Sequence, residues 1–305
     1  MRARTTWVAL TSVVGFSLAC SMDLPEDLKG ASAIPSSVAK ESPEGDACRT
    51  WNEEGQRKIE IAVDGKTYEV PIRVPRNRTS DTLIVLLHGG NGDAQKVLKQ
   101  TDFGPFADEF GIALAIPEAD VQPDLDNKRK WNSGKAPFPN GRNDTKFLDA
   151  IAAEARKDGC LSKVAGIGFS NGAQMVNRWA CEGSEVDAVV AVAGGLLVPP
   201  STCTDRSLPV LLYVGANDEA FQGSPSKHAK LPSIVDSVAA WRKKNSCTEE
   251  VAASLDVNAT TCRTWNGDAP VRFCVTKGMG HAYPTNKNGR TIHATRDAWT
   301  WLEAI

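Results

Sequence analysis

The chain has 305 residues, 41% of them hydrophobic, with 35 basic and 37 acidic side chains and a formal net charge of −2. So even a balance offers no electrostatic basis for nucleic-acid binding. Length and hydrophobic content suit a single α/β domain of roughly 250 residues behind an N-terminal extension, and no segment repeats.

Arg2 and Arg4 open the chain, Trp7 to Leu18 is apolar, and Ser17-Leu18-Ala19 brings small residues before Cys20. The apolar stretch is short for a spanning helix, so residues 1–20 read as a signal peptide. Its end resembles a bacterial lipobox, with Cys20 as the lipidated residue; ordinary signal-peptidase cleavage after the same small residues is the alternative. Either outcome puts the protein outside the cytoplasm, secreted or anchored at the cell surface or in the periplasm, and touching a membrane only through a lipid on Cys20. Residues 21–50, rich in Ser, Pro, Asp, Glu and Ala, read as a flexible linker, and 51–305 as the folded domain.

Arg57 to Val63 and Thr67 to Val74 alternate apolar and polar residues around Asp64-Gly65, which predicts a hairpin. Leu83 to Leu87 is a continuous apolar run suited to a central strand, and it ends in His88-Gly89-Gly90-Asn91-Gly92. A loop of such small residues can turn backbone N–H groups toward an oxygen that becomes negative during a reaction. Ile112 to Ile116 predicts a strand before Pro117, and a long loop then runs to Arg142. Loops this long in compact domains are usually functional. Trp131 and Phe138 in it could form an aromatic platform or pack the loop onto the domain. Lys128-Arg129-Lys130 reads as a solvated charge run. Asp120, Asp124, Asp126 and Asn127 offer oxygens, but their spacing matches no calcium loop and no metal is expected. A helix is predicted over Asn143 to Lys157.

Lys163 to Gly168 reads as a buried strand and Ala173 to Cys181 as a helix, with Gly168-Phe169-Ser170-Asn171-Gly172 between them. That is the pattern of a nucleophile elbow, a sharp turn that presents a serine hydroxyl at the end of a sheet. The backbone N–H of Asn171 would then be a second donor to an oxyanion. Val186 to Val192 predicts another strand. Pro209 to Val214 runs into Gly215-Ala216-Asn217-Asp218, so Asp218 falls at the C-terminal end of a strand, where α/β sheets keep their chemistry. Asp205, which precedes that strand, and Asp236, on a helix predicted over Ser233 to Asn245, are its rivals. Val271 to Val275 reads as the last strand, followed by Gly278-Met279-Gly280-His281. Of the four histidines, His88 belongs to the glycine loop, His228 to a polar stretch, and His293 precedes a helix predicted over Ala294 to Ile305. Only His281 follows a strand after the acid, completing the order Ser, Asp, His. Alternating strands and helices predict a mostly parallel sheet.

His88-Gly89-Gly90, Trp131-Asn132-Ser133-Gly134, Gly168-Phe169-Ser170-Asn171-Gly172-Ala173-Gln174-Met175, Ala193-Gly194-Gly195, Gly215-Ala216-Asn217-Asp218 and Gly278-Met279-Gly280-His281-Ala282-Tyr283-Pro284 resemble the secreted polyhydroxybutyrate depolymerase and feruloyl esterase family of the α/β-hydrolases. The resemblance covers about residues 57–303. It implies an α/β-hydrolase fold, with helices on both faces of a mostly parallel central sheet, as the catalytic domain. It also implies serine esterase chemistry without a cofactor: Ser170 as nucleophile, His281 as base, Asp218 as acid, an oxyanion hole from Gly89, Gly90, Asn91 and Asn171, and substrate contacts at Trp131, Asn132 and Tyr283. The family often has Trp where Tyr283 stands, and Cys or a third Gly where Asn91 stands. Feruloyl or acetyl esters of plant polysaccharide are the expected substrates. Polyhydroxybutyrate-type polyester is the alternative, ranked second because the sequence ends at Ile305 without an adsorption module. A reading of another class is a non-catalytic carbohydrate-binding surface protein on the same fold. A monomer is expected.

Beyond Cys20, seven cysteines occur without Cys-x-x-Cys spacing, which favours disulfides over zinc. The resemblance implies Cys181 with Cys203 and Cys247 with Cys262, and leaves Cys48, Cys160 and Cys274 open. Sequons begin at Asn77, Asn143 and Asn258, and matter only in a eukaryotic secretory host, against which the lipobox argues.

Overall fold

A computed structural model of the chain describes residues 48–305 except 123–126, 135–140, 158–159, 224, 227–228, 231, 258, 287–288 and 290. The chain divides into Met1–Pro43 and Glu44–Ile305, and the described residues belong to the second unit. The signal segment, Cys20, the linker up to residue 47, Asp124, Asp126, Phe138, His228 and Asn258 therefore lie outside the described residues.

In chain order the elements are α1 (Arg49–Asn52), β1 (Gly55–Val63), β2 (Lys66–Val74), β3 (Thr82–Leu87), α2 (Ala94–Thr101), α3 (Phe103–Phe110), β4 (Ala113–Ala115), β5 (Val121–Gln122), β6 (Lys128–Arg129), α4 (Asp144–Arg156), β7 (Lys163–Phe169), α5 (Asn171–Glu182), β8 (Ala188–Val192), β9 (Val210–Gly215), α6 (Glu219–Gln222), β10 (Pro225–Ser226), β11 (Ala229–Lys230), α7 (Ile234–Lys244), β12 (Glu249–Val257), β13 (Thr260–Asn266), β14 (Val271–Thr276) and α8 (Ala294–Glu303). Among the described residues ten strands form one sheet in the order β1-β2-β4-β3-β7-β8-β9-β14-β13-β12. The run from β4 to β14 is parallel. The β1–β2 hairpin closes one side and the β12–β13 hairpin the other, both antiparallel.

The uninterrupted apolar run of β3 is explained by burial on both sides. Leu83, Val85 and Leu87 enter a core shared with α4, α5 and α7, while Ile84 and Leu86 enter the opposite core with α2, α3 and α8. Alternate residues of a strand point to opposite faces, so one run of leucine-like residues serves two layers. The helix-bearing layers thus cover both faces, as expected. Among the described residues no helix is long and apolar enough to cross a membrane.

The pairing of half-cystines corrects one expectation. Cys181 bonds Cys203, but Cys262 bonds Cys274, and Cys48 bonds Cys160. Cys262 and Cys274 stand directly opposite each other on the antiparallel pair β13 and β14, so the bridge forms across the ladder. Cys247 follows α7 and stays a buried thiol, its Sγ 3.4 Å from the Ala269 carbonyl oxygen. The Cys48 bridge also brings the start of the folded unit before residue 51: Cys48 to Thr50, read as linker, belong to it, with Trp51 buried in the core. Three disulfides are compatible with an extracytoplasmic protein.

Candidate active site

Four strands of the parallel run deliver the loops of the site from their C-terminal ends. β3 leads to His88, β7 to Ser170, β9 to Asp218 and β14 to His281. The turn after β7 is possible only with glycine on either side. A Cβ on Gly168 would lie 2.2 Å from the Gly172 carbonyl oxygen, and one on Gly172 would lie 2.5 Å from that of Leu87. Between them Ser170 adopts φ 54° and ψ −117°, a conformation that side-chain-bearing residues rarely hold. Its N–H donates to the Val192 carbonyl at 2.9 Å and its carbonyl accepts from Gln174 N–H at 3.0 Å, so neighbours on both sides hold the strained residue.

His281 Nδ1 and Asp218 Oδ2 are 2.9 Å apart, and His281 Nε2 and Ser170 Oγ are also 2.9 Å apart. Because the carboxylate accepts, Nδ1 carries the proton and Nε2 is left to accept from the serine hydroxyl. Asp218 is buried, and its second oxygen accepts the Ala220 N–H at 2.9 Å. The loops that carry Asp218 and His281 are locked together: Ala216 N–H donates to Thr276 and Asn217 N–H to Met279, both at 2.9 Å. A Cβ at Gly215 would sit 2.1 Å from the Met279 carbonyl, which makes that glycine a condition of the close approach. The rival residues have other employment. Asp236 closes the capping box of α7 with Ser233, Asp205 is exposed, and His293 packs edge-on to Phe106 near Asp102.

Gly89 lies against Ser170, where a Cβ would come within 3.3 Å of Ser170 Cβ, and Gly90 faces Asn171. Asn91 does not fit the expected oxyanion role. Its N–H donates to the Arg129 carbonyl at 2.8 Å, which leaves the loop's donors at Gly89 and Gly90. Asn171 begins α5, so its N–H has no acceptor one turn back and is open to a ligand beside Ser170. His88 is buried: Nδ1 donates to the Gly89 carbonyl at 2.7 Å and Nε2 accepts the Ala119 N–H at 3.0 Å. Burial pushes its pKa below the ordinary histidine value, which keeps the ring neutral in this arrangement.

The long loop corrects the expected substrate contacts. Trp131 is fully buried; its indole N–H donates to the His88 carbonyl at 2.9 Å and its backbone N–H to Asn171 Oδ1 at 2.7 Å. It is no platform, because its faces and its one polar atom are occupied by the protein. The neighbouring Asn132 is held by Arg178 through its carbonyl and Oδ1 and by Asp144 through its N–H. Tyr283 is buried too, with its hydroxyl on Thr295 and its ring edge-on to Phe169. The supposed charge run Lys128-Arg129-Lys130 is in part a strand, β6, paired with β5, and Arg129 forms an ion pair with Glu118 at 2.9 Å.

Sequence reasoning missed Arg142 and Asp144, which fasten this loop. Both are buried, Arg142 Nε donating to Asp144 Oδ1 at 2.8 Å, with Nη2 on the Glu118 carbonyl at 2.9 Å. The guanidinium lies 3.6 Å from the Phe147 ring centroid and 4.7 Å from that of Tyr68. Nothing local marks this pair, since an Arg and an Asp two apart before a helix are usually solvated. The side chain of Asn171 was missed as well; it pairs with the backbone of Trp131 as a neighbouring strand would.

No protein-family model matches the chain. NocK of Nocardia uniformis subsp. tsuyamanensis, provisionally named an esterase, is 30% identical over 226 residues, which are 67% of this chain and 61% of NocK. The chain therefore spans about three fifths of the curated relative that it matches. Among solved structures, an acetyl xylan esterase from Aspergillus awamori superimposes with a TM-score of 0.55 at 15% identity, over 80% of this chain and 98% of that one. The esterase PE8 gives a TM-score of 0.52 at 19% identity, over 76% of this chain and 97% of that one. These likenesses, with the sheet order described above, show an α/β-hydrolase fold.

Proposed function

We propose that this protein is a serine hydrolase of carboxylic esters. The observation that carries the reading is the hydrogen-bonded line Asp218–His281–Ser170, each gap 2.9 Å, ending on a serine in an elbow. On this reading His281 accepts the hydroxyl proton as Ser170 Oγ attacks the ester carbonyl carbon. The resulting oxyanion lies between the N–H of Asn171 and those of the Gly89–Gly90 segment. The tetrahedral intermediate then collapses, the alcohol leaves with the proton from His281, and water repeats the sequence to release the acid. The name of NocK agrees with this reaction class.

The reacting pair opens to solvent, with the His281 side chain 49% exposed, which suits an ester carried on a bulky alcohol such as a polysaccharide. Within that class acetyl esters are favoured over feruloyl esters, because Trp131, the side chain that could have stacked on a ferulate ring, is buried. The three disulfides support an extracytoplasmic setting, and lipidation at Cys20 would hold the enzyme at a membrane surface.

Ser170→Ala is the direct test: hydrolysis of a chromogenic acetate should fall by several decades while the melting curve is retained. An unchanged rate would remove Ser170 from the chemistry. A fluorophosphonate probe should label the wild type at Ser170. Folded wild type that takes no label and hydrolyses none of acetylated xylan, methyl ferulate or polyhydroxybutyrate would instead be a binding protein on a hydrolase fold.

A further inference from the structure

We infer that Trp131 is a positioning residue of the oxyanion hole, orienting the donors on both of its sides from behind the loop; the inference rests on the ester-hydrolase reading. The argument begins with the peptide group, which is planar and trans, so its N–H and C=O point in opposite directions. A donor that captures the carbonyl of one residue therefore aims the N–H of the next residue the other way. The indole N–H of Trp131 captures the His88 carbonyl at 2.9 Å, and so turns the Gly89 N–H away from the core, on the side where Gly89 meets Ser170. The next peptide is treated alike: the Gly89 carbonyl accepts from His88 Nδ1 at 2.7 Å and from Gly92 N–H at 3.0 Å, which turns the Gly90 N–H outward.

The other half of the hole is tied to the same residue. Trp131 N–H donates to Asn171 Oδ1 at 2.7 Å, and Asn171 Nδ2 donates back to the Trp131 carbonyl at 3.3 Å. A side-chain amide clamped by two backbone bonds fixes the first residue of α5, whose N–H is the second donor. One buried tryptophan thereby sets the separation of the two donor groups that must close on one oxygen. Hydrogen bonds accepted by a peptide carbonyl also polarise its N–H, which strengthens the donor. Since the role is exerted on groups that bind charge developed in the transition state, it should appear in kcat more than in KM.

The test is Trp131→Phe, which keeps a buried aromatic ring and removes the indole N–H. Expected is a fall in kcat of about ten- to hundredfold on a chromogenic acetate, less than outright loss of an oxyanion donor, with KM unchanged. Affinity for a trifluoromethyl ketone, which forms a hemiketal oxyanion on Ser170, should fall by the same factor, and amide exchange at Gly89 and Gly90 should quicken. The matched control is Trp179→Phe, which also loses a buried indole's bond, here to Asp149 Oδ1 at 2.7 Å, away from the reacting atoms. The control should be destabilised and keep its kcat. An unchanged kcat in Trp131→Phe, or a loss equal to that of Trp179→Phe, would overturn the inference. If the wild type hydrolysed no ester, the reaction reading would fail on its own, and unaltered exchange at Gly89 and Gly90 in Trp131→Phe would still overturn the positioning role.

Discussion

Replacing Arg142 by alanine should be among the most destabilising single changes in the domain, and its cost should depend on pH. Arg142 and Asp144 side chains are each 3% exposed, and Asp144 has one oxygen on Arg142 at 2.8 Å and the other on the Asn132 N–H at 2.7 Å. Removing the guanidinium leaves a buried carboxylate without its cation, its ionisation opposed by the Asp120 charge, in a cavity once filled against Phe147 and Tyr68. Breaking one side of a buried pair costs about 3–5 kcal/mol. For a domain of this size each kcal/mol lowers the melting temperature by about 2–4 °C, so a drop of roughly 6–20 °C is expected. Burial already raises the Asp144 pKa above the ordinary carboxylate value, and Arg142 opposes that rise. In Arg142→Ala the opposition is gone and the pKa rises further. An acid whose folded pKa is raised holds its proton more tightly when folded, so its contribution to stability is lost as pH rises through the folded value. The penalty of the substitution should therefore be largest at neutral pH and shrink as pH falls and Asp144 is neutralised. Thermal melts of wild type and variant, paired at each pH between about 4 and 8, give the difference directly. A drop under about 2 °C at neutral pH, or a penalty that fails to shrink in acid, would refute the account of this pair.

Gly168→Ala should abolish fluorophosphonate labelling and lower the yield of folded protein, because its Cβ would overlap the Gly172 carbonyl at 2.2 Å; labelling at the wild-type rate would contradict the elbow geometry. Alkylation of the denatured, unreduced protein should modify Cys247 and leave Cys262 and Cys274 as one linked pair, whereas a peptide joining Cys247 to Cys262 would show the pairing to be wrong. His88, its pKa lowered by burial, binds its proton more weakly when folded, so its contribution is complete above about pH 6.5 and is lost as pH falls below that value. Urea midpoints at pH 7 and pH 5 should accordingly fall less in His88→Gln than in the wild type, and equal falls would show that His88 is not held neutral.

The hydrogen-bonded line Asp218–His281–Ser170 was legible in the sequence because each member depends on a short local pattern. An elbow needs glycine two residues either side of the serine, and here a Cβ at either position would strike a carbonyl, so chemistry and sterics write the same five residues. Asp218 and His281 could be chosen because chain order and the ends of apolar runs locate loops at one edge of a parallel sheet. The β1–β2 hairpin, the central strands and helices α4, α5, α7 and α8 followed from periodicity for the same reason. Helices α2 and α3 were not anticipated, although Asp93 caps α2 through the Lys96 N–H, because they are short and follow a glycine-rich loop. Nor was the β12–β13 hairpin, which extends the sheet beyond β14.

Everything that depends on what lies opposite a residue was decided by tertiary structure. Cys262 and Cys274 are equivalent to Cys247 in one dimension, and only the register of β13 on β14 brings two of them together. Asn91 looked like an oxyanion donor until Arg129, far along the chain, was seen to accept its N–H. Trp131 could have been a binding platform or a packing residue, and it packs the loop onto the domain, because its indole found the His88 carbonyl and its backbone found Asn171. Local sequence determines backbone conformation within a few residues, and hence where a serine, an aspartate and a histidine can stand. Burial and long-range hydrogen-bond partners are properties of surfaces that meet only after the sheet has closed, and no short window along the chain contains both sides of such a contact.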